Sequence, residues 1–242
     1  RVMNELDLES GLAAPLAELL RPKTLDNVVG QEQLLGPQGR LRLMLAHDAL
    51  GSIIFWGPPG TGKTTIARLL ADAADMAFEP ISAVFDGVGE LRKVFTRAEQ
   101  RRPKGRRTLL FVDEVHRFNK AQQDGLLPRV EDGTVTLVGA TTENPSFALN
   151  GALLSRAQVL VLERLNHQAL EMILARLEGH IGRDLPLDVD ARAALIGMGN
   201  GDGRYLLNMA SLLIQLPVSP KIDSSALAEL VGGRAPAFDR AG

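Results

Sequence analysis

The feature that most restricts the fold of this chain is a glycine-rich segment that directly follows an apolar run. The segment is Gly57-Pro58-Pro59-Gly60-Thr61-Gly62-Lys63-Thr64, and it follows Ile53-Ile54-Phe55-Trp56. A buried strand, a glycine-rich turn and then a helical pattern are typical of a loop that wraps around phosphate groups. Glycines let the main chain approach phosphate oxygens, and the start of the next helix adds partial positive charge. A glycine turn that binds no ligand is the alternative interpretation.

This P-loop interpretation gives a role to the polar side chains of the segment. Lys63 is expected to reach the β- and γ-phosphates of a nucleotide, and the hydroxyl group of Thr64 is expected to hold Mg²⁺. The residues predicted to bind the nucleotide here are Gly57, Pro58, Pro59, Gly60, Thr61, Gly62, Lys63, Thr64 and Thr65.

The composition excludes several classes of function. The 242 residues are 45% hydrophobic and 23% charged, as in an ordinary globular protein, and the chain contains no cysteine. Disulfides, zinc–thiolate sites and thiol catalysis are therefore excluded. The net charge is −2, so any surface that binds nucleic acid must be local. No apolar run approaches the ~20 residues of a membrane span and no signal-peptide pattern opens the chain, so a cytoplasmic location is expected.

Two acidic residues end a second apolar run, Thr108-Leu109-Leu110-Phe111-Val112-Asp113-Glu114. A strand that is apolar on both faces suits the centre of a parallel sheet, and acids at its carboxyl end lie where such sheets carry out their chemistry. Asp113 is then a direct or water-mediated partner of Mg²⁺. Glu114 is placed to orient and deprotonate an attacking water. An ordinary surface turn is the alternative, and His116 is expected to be a structural hydrogen-bonding group rather than a catalyst.

The pattern of apolar runs predicts the fold class and the domain boundaries. Strands are predicted at 53–56, 78–81, 108–114, 134–140 and 157–162, and helices alone at about 167–179, 188–197, 202–216 and 223–231. The predicted class is α/β, with a five-stranded parallel sheet flanked by helices and a small all-helical domain after it. The predicted divisions are an N-terminal arm at 1–14, an α/β part at 15–163 and a helical part at 164–242.

Two further segments have a polar character that suggests function. Thr141-Thr142-Glu143-Asn144-Pro145 follows the fourth strand, where a polar side chain would lie beside the γ-phosphate and could hold the attacking water. Capping of the strand end is the alternative. The loop at 101–107 contains five basic residues. It is either a solvated connection or a contact with phosphate groups or another subunit.

Three motifs together resemble the AAA+ ATPases of the clamp-loader and Holliday-junction-motor clade. They are Gly57–Thr64, the run from Phe111 to Lys120 (FVDEVHRFNK) and the run from Gly139 to Phe147 (GATTENPSF). The match covers nearly the whole chain and is most similar to the replication-associated recombination ATPases, bacterial relatives of the eukaryotic Werner-helicase-interacting ATPase. The resemblance implies an AAA+ P-loop NTPase fold, a helical lid domain at 164–242, and ATP and Mg²⁺ as cofactors.

The resemblance also implies roles around the nucleotide. The segment from Leu25 to Gln31 is similar to the one that folds over adenine in the family, with Val28 and Val29 packing on the base. The sensor-1 position, which contacts the γ-phosphate, falls on the strand end, and its candidates are Thr141, Thr142 and Asn144.

Two arginines match catalytic positions of the family. Arg156 matches the arginine finger that reaches into the ATP site of the neighbouring subunit, where a cation can raise the rate by ~10³–10⁵. Arg204 matches the sensor-2 arginine of the lid. Tyr205, which follows it, departs from the small or charged residue that is usual there.

The function implied by the resemblance is a DNA-dependent ATPase in replication-fork maintenance, recombination and DNA repair. A branch-migration or helicase motor and a nucleotide-gated scaffold are the alternatives. The implied partners are single-stranded or forked DNA, further copies in a tetramer and replication proteins such as single-strand binding protein, all near the nucleoid. The 101–107 loop and the stretch from Gly87 to Arg92 are candidates for DNA contact. The chain is expected to end before the helical tetramerisation region of the family.

Overall fold

The computed structural model describes residues 15–232. Within them the chain clusters into two compact units. We call Pro22–Arg164 the sheet unit, and 15–21 together with 165–232 the helical unit. The arm predicted at 1–14 and the last residues of the predicted helical part, 233–242, lie outside the described residues.

The residues just before Pro22 differ from the prediction that 15–163 form one α/β part. Residues 15–21 cluster with the helical unit. The physical reason is that a short helix, α1 (Leu16–Leu19), packs against a helix of that unit, Gly203–Leu213. Leu20, at its end, is buried.

Five parallel strands form the sheet, as the sequence predicts. They are β1 (Ile53–Trp56), β2 (Ala77–Ser82), β3 (Thr108–Asp113), β4 (Thr136–Thr141) and β5 (Gln158–Val161). Their order across the sheet is β2-β3-β4-β1-β5, and every pairing is parallel. All five carboxyl ends therefore lie at one edge of the sheet, which we call the carboxyl edge, and the strand beginnings lie at the amino edge.

Helices cover both faces of the sheet. The helices of the sheet unit are α2 (Glu32–Leu35), α3 (Arg40–Ala46), α4 (Lys63–Ala73), α5 (Val88–Arg101), α6 (Lys120–Glu131), α7 (Pro145–Ala148) and α8 (Gly151–Leu154). Alternate residues of β1 belong to two different cores: Phe55 packs with Ile66 of α4, whereas Ile54 packs with Leu126 of α6. A strand buried on both faces reads as a continuous apolar run, because neither face needs polar side chains.

The helical unit is held by a buried leucine core and by capped helices. Its longer helices are α9 (His167–Ile181), α10 (Val189–Gly199), α11 (Gly203–Leu213) and α12 (Ser224–Gly232). The side chains of Asn166, Asp188 and Asp202 accept hydrogen bonds from the first turns of α9, α10 and α11. Such caps satisfy main-chain donors that have no partner within the helix. No helix within residues 15–232 has both the length and the apolar character that crossing a membrane would require.

Candidate functional site

The predicted phosphate loop connects the carboxyl end of β1 to the start of α4. Gly60 and Gly62 have φ angles of 68° and 100°, a left-handed conformation that glycine adopts without strain. Thr61, between them, is buried, and its Oγ1 donates to the carbonyl oxygen of Pro58 at 2.9 Å. The loop therefore folds back on itself. The first turn of α4 then contains Lys63, Thr64 and Thr65.

Lys63 lies inside the curve of this loop. Its Nζ donates to the carbonyl oxygens of Gly57 and Pro58, each at 2.7 Å, and the residue is only 8% exposed. A cation held on the main chain of the loop is close to any phosphate that the loop holds. The position fits the role that the sequence predicts for this side chain.

Gly57 is required by a close approach of two chain segments. A Cβ atom at this position would lie 2.2 Å from the carbonyl oxygen of Leu162, which follows β5. We predict that Gly57→Ala lowers the free energy of unfolding by about 1–3 kcal/mol, because main-chain atoms must move to relieve the overlap. Urea unfolding measures the loss. Gly51→Ala is the matched control, since no atom lies within 4 Å of the Cβ it would add, and equal stability of the two variants would contradict the prediction.

The acidic pair lies at a sharp turn of the main chain. Asp113 is the last residue of β3, and Glu114 follows with φ 52° and ψ 45°, a left-handed conformation. The main-chain N–H of Glu114 donates to Oδ1 of Asp113 at 3.2 Å. A non-glycine residue in this conformation costs about 1–3 kcal/mol, and such residues concentrate at functional sites.

The strand register brings the phosphate loop and the acidic pair to adjacent positions. β4 lies between β1 and β3, with Trp56 opposite Thr141 and Val112 opposite Gly139. Glu114, two residues beyond Val112, is therefore level with Thr141. On the other side, the main-chain N–H of Gly57 donates to the carbonyl oxygen of Thr141 at 3.1 Å.

A buried histidine connects Glu114 to the end of β4. Nδ1 of His116 lies 2.9 Å from Oγ1 of Thr141, and its Nε2 lies 3.1 Å from Oε2 of Glu114 and 3.5 Å from Oε1 of Glu143. Its side chain is 4% exposed. One histidine in a turn gives no spacing signal, so the sequence predicts only a structural group at His116. Its contacts with both neighbouring segments are visible only in the fold.

The three sensor-1 candidates have different environments. Thr141 is fully buried, whereas Thr142 is exposed and its Oγ1 lies 3.5 Å from Oε2 of Glu114. Oδ1 of Asn144 accepts a hydrogen bond from the N–H of Ser146 at 3.0 Å, so this side chain caps α7. The alternative of strand-end capping describes Thr141, whose Oγ1 accepts from the N–H of Glu143 at 3.0 Å just past β4, and Thr142 is the candidate beside the acid.

Gln31 connects the segment predicted to cover adenine to the phosphate loop, and no sequence pattern marks it as a site residue. Its side chain donates to the carbonyl oxygen of Glu163 at 2.8 Å and accepts from the N–H of Glu163 at 3.1 Å. The same Nε2 lies 3.4 Å from the carbonyl oxygen of Thr61. Val29 is buried and Val28 is half-buried just before it.

Two arginines match catalytic positions of the family. One lies at the amino edge of the sheet, away from the phosphate loop, and the other lies in the helical unit. Arg156 donates to the carbonyl oxygen of Ala152 at 2.8 Å and forms an ion pair with Glu131. It lines a surface cavity together with Ser52 and Thr136, which lie at the beginnings of β1 and β4, so it is at the amino edge. Arg204 is exposed in the first turn of α11, in the helical unit.

Two of the five basic residues at 101–107 are committed to ion pairs within the sheet unit. Arg101 and Arg97 both bind the buried carboxylate of Glu79, and the hydrogen bonds from Arg97 are the main reason that the pKa of Glu79 is lowered. Arg107 pairs with Asp48 at 2.8 Å. The remaining three are exposed: Arg102, Lys104 and Arg106.

The residues predicted to hold Mg²⁺ suit that ion chemically. Thr64 offers a hydroxyl oxygen and Asp113 a carboxylate oxygen, and Mg²⁺ prefers oxygen ligands from one or two protein groups together with substrate phosphates. The two residues follow β1 and end β3, both at the carboxyl edge.

Comparison with known proteins connects this geometry to a family. Residues 53–165 match the family described as "ATPase family associated with various cellular activities (AAA)". The chain is 44% identical to replication-associated recombination protein A of Escherichia coli (strain K12), over 98% of this chain and 55% of that protein. It is 42% identical to ATPase WRNIP1 of Dictyostelium discoideum, over 84% of this chain and 24% of that protein. The chain thus spans about half the length of the bacterial relative.

Solved structures give the same result for the fold. The Thermotoga maritima RuvB Holliday junction branch migration motor superimposes with a TM-score of 0.71 and 26% sequence identity. The similarity covers 88% of this chain and 72% of that one.

Proposed function

We propose that this chain is a Mg²⁺-dependent ATPase acting on DNA in replication-fork maintenance, recombination and repair, because residues 53–165 match the AAA family of ATPases and 98% of the chain aligns at 44% identity with replication-associated recombination protein A of Escherichia coli. The observation that carries the proposal is the arrangement at the carboxyl edge, where Gly57 is hydrogen-bonded to Thr141 and Glu114 is level with it. Phosphate binding and water activation can therefore occur side by side.

The proposed reaction is the hydrolysis of ATP to ADP and phosphate. Lys63 and the loop around it bind the β- and γ-phosphates. Mg²⁺, held by Thr64 and Asp113, would neutralise developing charge on the phosphates. Glu114 accepts a proton from the water whose oxygen attacks the γ-phosphorus, and the bond to the ADP oxygen breaks. Thr142, beside Glu114, is our sensor-1 candidate for orienting that water.

Arg156 is proposed to serve a neighbouring copy rather than its own site. It lies at the amino edge, whereas the phosphate loop follows the carboxyl end of β1. Four residues of a strand span roughly 13 Å, so the side chain cannot contact both regions of one sheet unit.

Val28 and Val29 are proposed to pack on adenine, and Arg204 is proposed to contact the phosphates from the lid.

DNA is the proposed macromolecular partner. The exposed basic residues of the 101–107 loop and the stretch from Gly87 to Arg92 are the candidate contacts, and binding through phosphates would weaken steeply as salt rises. Such a role would place the protein in the cytoplasm at the nucleoid, beside replication proteins such as single-strand binding protein. The RuvB likeness favours one second candidate, a branch-migration motor.

The test is ATP turnover measured against protein concentration, with and without forked or single-stranded DNA. We expect Mg²⁺-dependent turnover that DNA stimulates, with a rate per copy that rises with concentration because Arg156 acts in trans. No turnover at any concentration would contradict the proposal. Displacement of a labelled strand during turnover would favour the motor over a switch that changes only its grip on DNA.

A mixing experiment isolates the contribution of Arg156. Arg156→Ala supplies an intact phosphate loop without the finger, and Lys63→Ala supplies the finger without a working loop. Each is expected to be inactive alone, and their mixture is expected to regain part of the turnover. A mixture that stays inactive, when each variant still associates with wild-type protein, would show that Arg156 does not act in trans.

A further inference from the structure

We propose that His116 is a positioning residue for ATP hydrolysis: it holds the carboxylate of Glu114 in a fixed orientation relative to Thr141 at the end of β4. The inference rests on the proposed function, because it assigns Glu114 the activation of water. It adds a residue whose side chain acts through Glu114 rather than on the substrate itself.

The main chain around His116 leaves its imidazole ring little freedom. The residue lies in a 3₁₀ turn, Val115–Arg117, between two buried apolar side chains, Val115 and Phe118. Val115 packs on β4, where a Cβ atom added at Gly139 would lie only 3.1 Å from its Cγ1. The turn is therefore fixed on the sheet, and the ring lies between Glu114 and β4.

The neighbours of the ring favour one neutral tautomer. Nε2 faces two carboxylates, Oε2 of Glu114 at 3.1 Å and Oε1 of Glu143 at 3.5 Å, which accept hydrogen bonds but donate none. The proton of the neutral imidazole is therefore on Nε2. Nδ1 is then an acceptor, and the hydroxyl group of Thr141, 2.9 Å away, can donate to it.

Thr141 connects this pair to the phosphate loop. Its Oγ1 accepts from the main-chain N–H of Glu143 at 3.0 Å, and its hydroxyl proton has two acceptors within reach, of which Nδ1 of His116 at 2.9 Å is nearer than the carbonyl oxygen of Glu143 at 3.2 Å. Its carbonyl oxygen accepts from the N–H of Gly57 at 3.1 Å. The orientation of Glu114 is thus set through His116 by the same strand end that contacts the first residue of the loop.

Two substitutions of similar polarity separate positioning from packing. In His116→Gln the amide nitrogen can occupy a position close to that of Nε2 and donate to Glu114. In His116→Asn the shorter side chain reaches only the position of Nδ1. We expect kcat of His116→Asn to fall about 10–100-fold, as for other residues that orient a catalytic group, while the dissociation constant of ATP stays within about threefold. His116→Gln should retain most of the turnover.

The outcomes distinguish this inference from the proposed function. Wild-type protein without ATP turnover would overturn the proposed function. Active wild-type protein with equal kcat values for the two variants would overturn the role of His116 alone, because loss of packing affects both variants similarly. The ¹⁵N spectrum of the wild-type protein gives an independent test, with the His116 signal assigned from the His116→Asn variant. A proton on Nε2 is expected, and a ring protonated on Nδ1 alone would overturn the inference.

Discussion

Lys63→Ala is expected to weaken ATP binding by about 10²–10⁴-fold. The side chain of Lys63 is buried in the phosphate loop, where it would form charge-assisted hydrogen bonds to two phosphate groups. Each such bond contributes about 1.5–3 kcal/mol, and about 1.4 kcal/mol corresponds to a factor of ten in affinity. Titration with a fluorescent ATP analogue gives the dissociation constant, and thermal unfolding shows whether the variant is folded.

Lys93→Ala is the matched control for this prediction. Lys93 is an exposed lysine that pairs with Glu90 on the surface of α5, so its removal should leave ATP affinity unchanged. If folded Lys63→Ala bound ATP within threefold of the wild-type protein, the loop would not be the phosphate site.

Glu114→Gln is expected to bind ATP normally and to lose hydrolysis by about 10²–10⁴-fold. Glutamine has the same shape as glutamate but cannot accept the proton of the attacking water, and a positioned general base contributes a factor of this size. Single-turnover hydrolysis measured beside ATP binding separates the two effects. Weakened binding with unchanged turnover would show that this acid has another role.

The control for Glu114→Gln is Glu99→Gln. Glu99 is a surface carboxylate paired with Arg129 at 2.8 Å, and it lies on α5, away from the acidic pair. Its substitution should change neither ATP binding nor turnover. A comparable loss in both variants would point to a general effect of removing negative charge.

Local sequence patterns predicted the parts of the fold that depend on local chemistry. The run Thr108–Asp113 is apolar because β3 is covered on both faces, so strand, burial and the acids at its end could be predicted together. The phosphate loop could be predicted because its glycines have left-handed angles that few other residues adopt. In both segments, the residues that determine the local structure lie within one short stretch of sequence.

The strand order and the second layer of the site could not be predicted, because they depend on contacts between distant residues. Nothing in the local sequence places β4 between β1 and β3. Gln31 and Glu163 are hydrogen-bonded across 132 positions of the chain. Thr141 is the last residue of β4 and Thr142 follows it in a bend, and the sequence does not indicate which of the two is buried. Only the pairing with His116 and Glu114 distinguishes them.

The position of Arg156 at the amino edge, with the phosphate loop at the carboxyl edge, restricts the symmetry of any assembly in which the arginine is used. In a two-fold dimer the same surface patch of both copies forms the interface. If that patch lay on one edge alone, Arg156 of each copy could not reach the phosphate loop of its partner. Where a contact between unlike edges is made only once per pair of copies, it is head-to-tail, and it generates a closed ring or an open helical array. In an open array one terminal copy has no donor arginine. A closed ring completes every site.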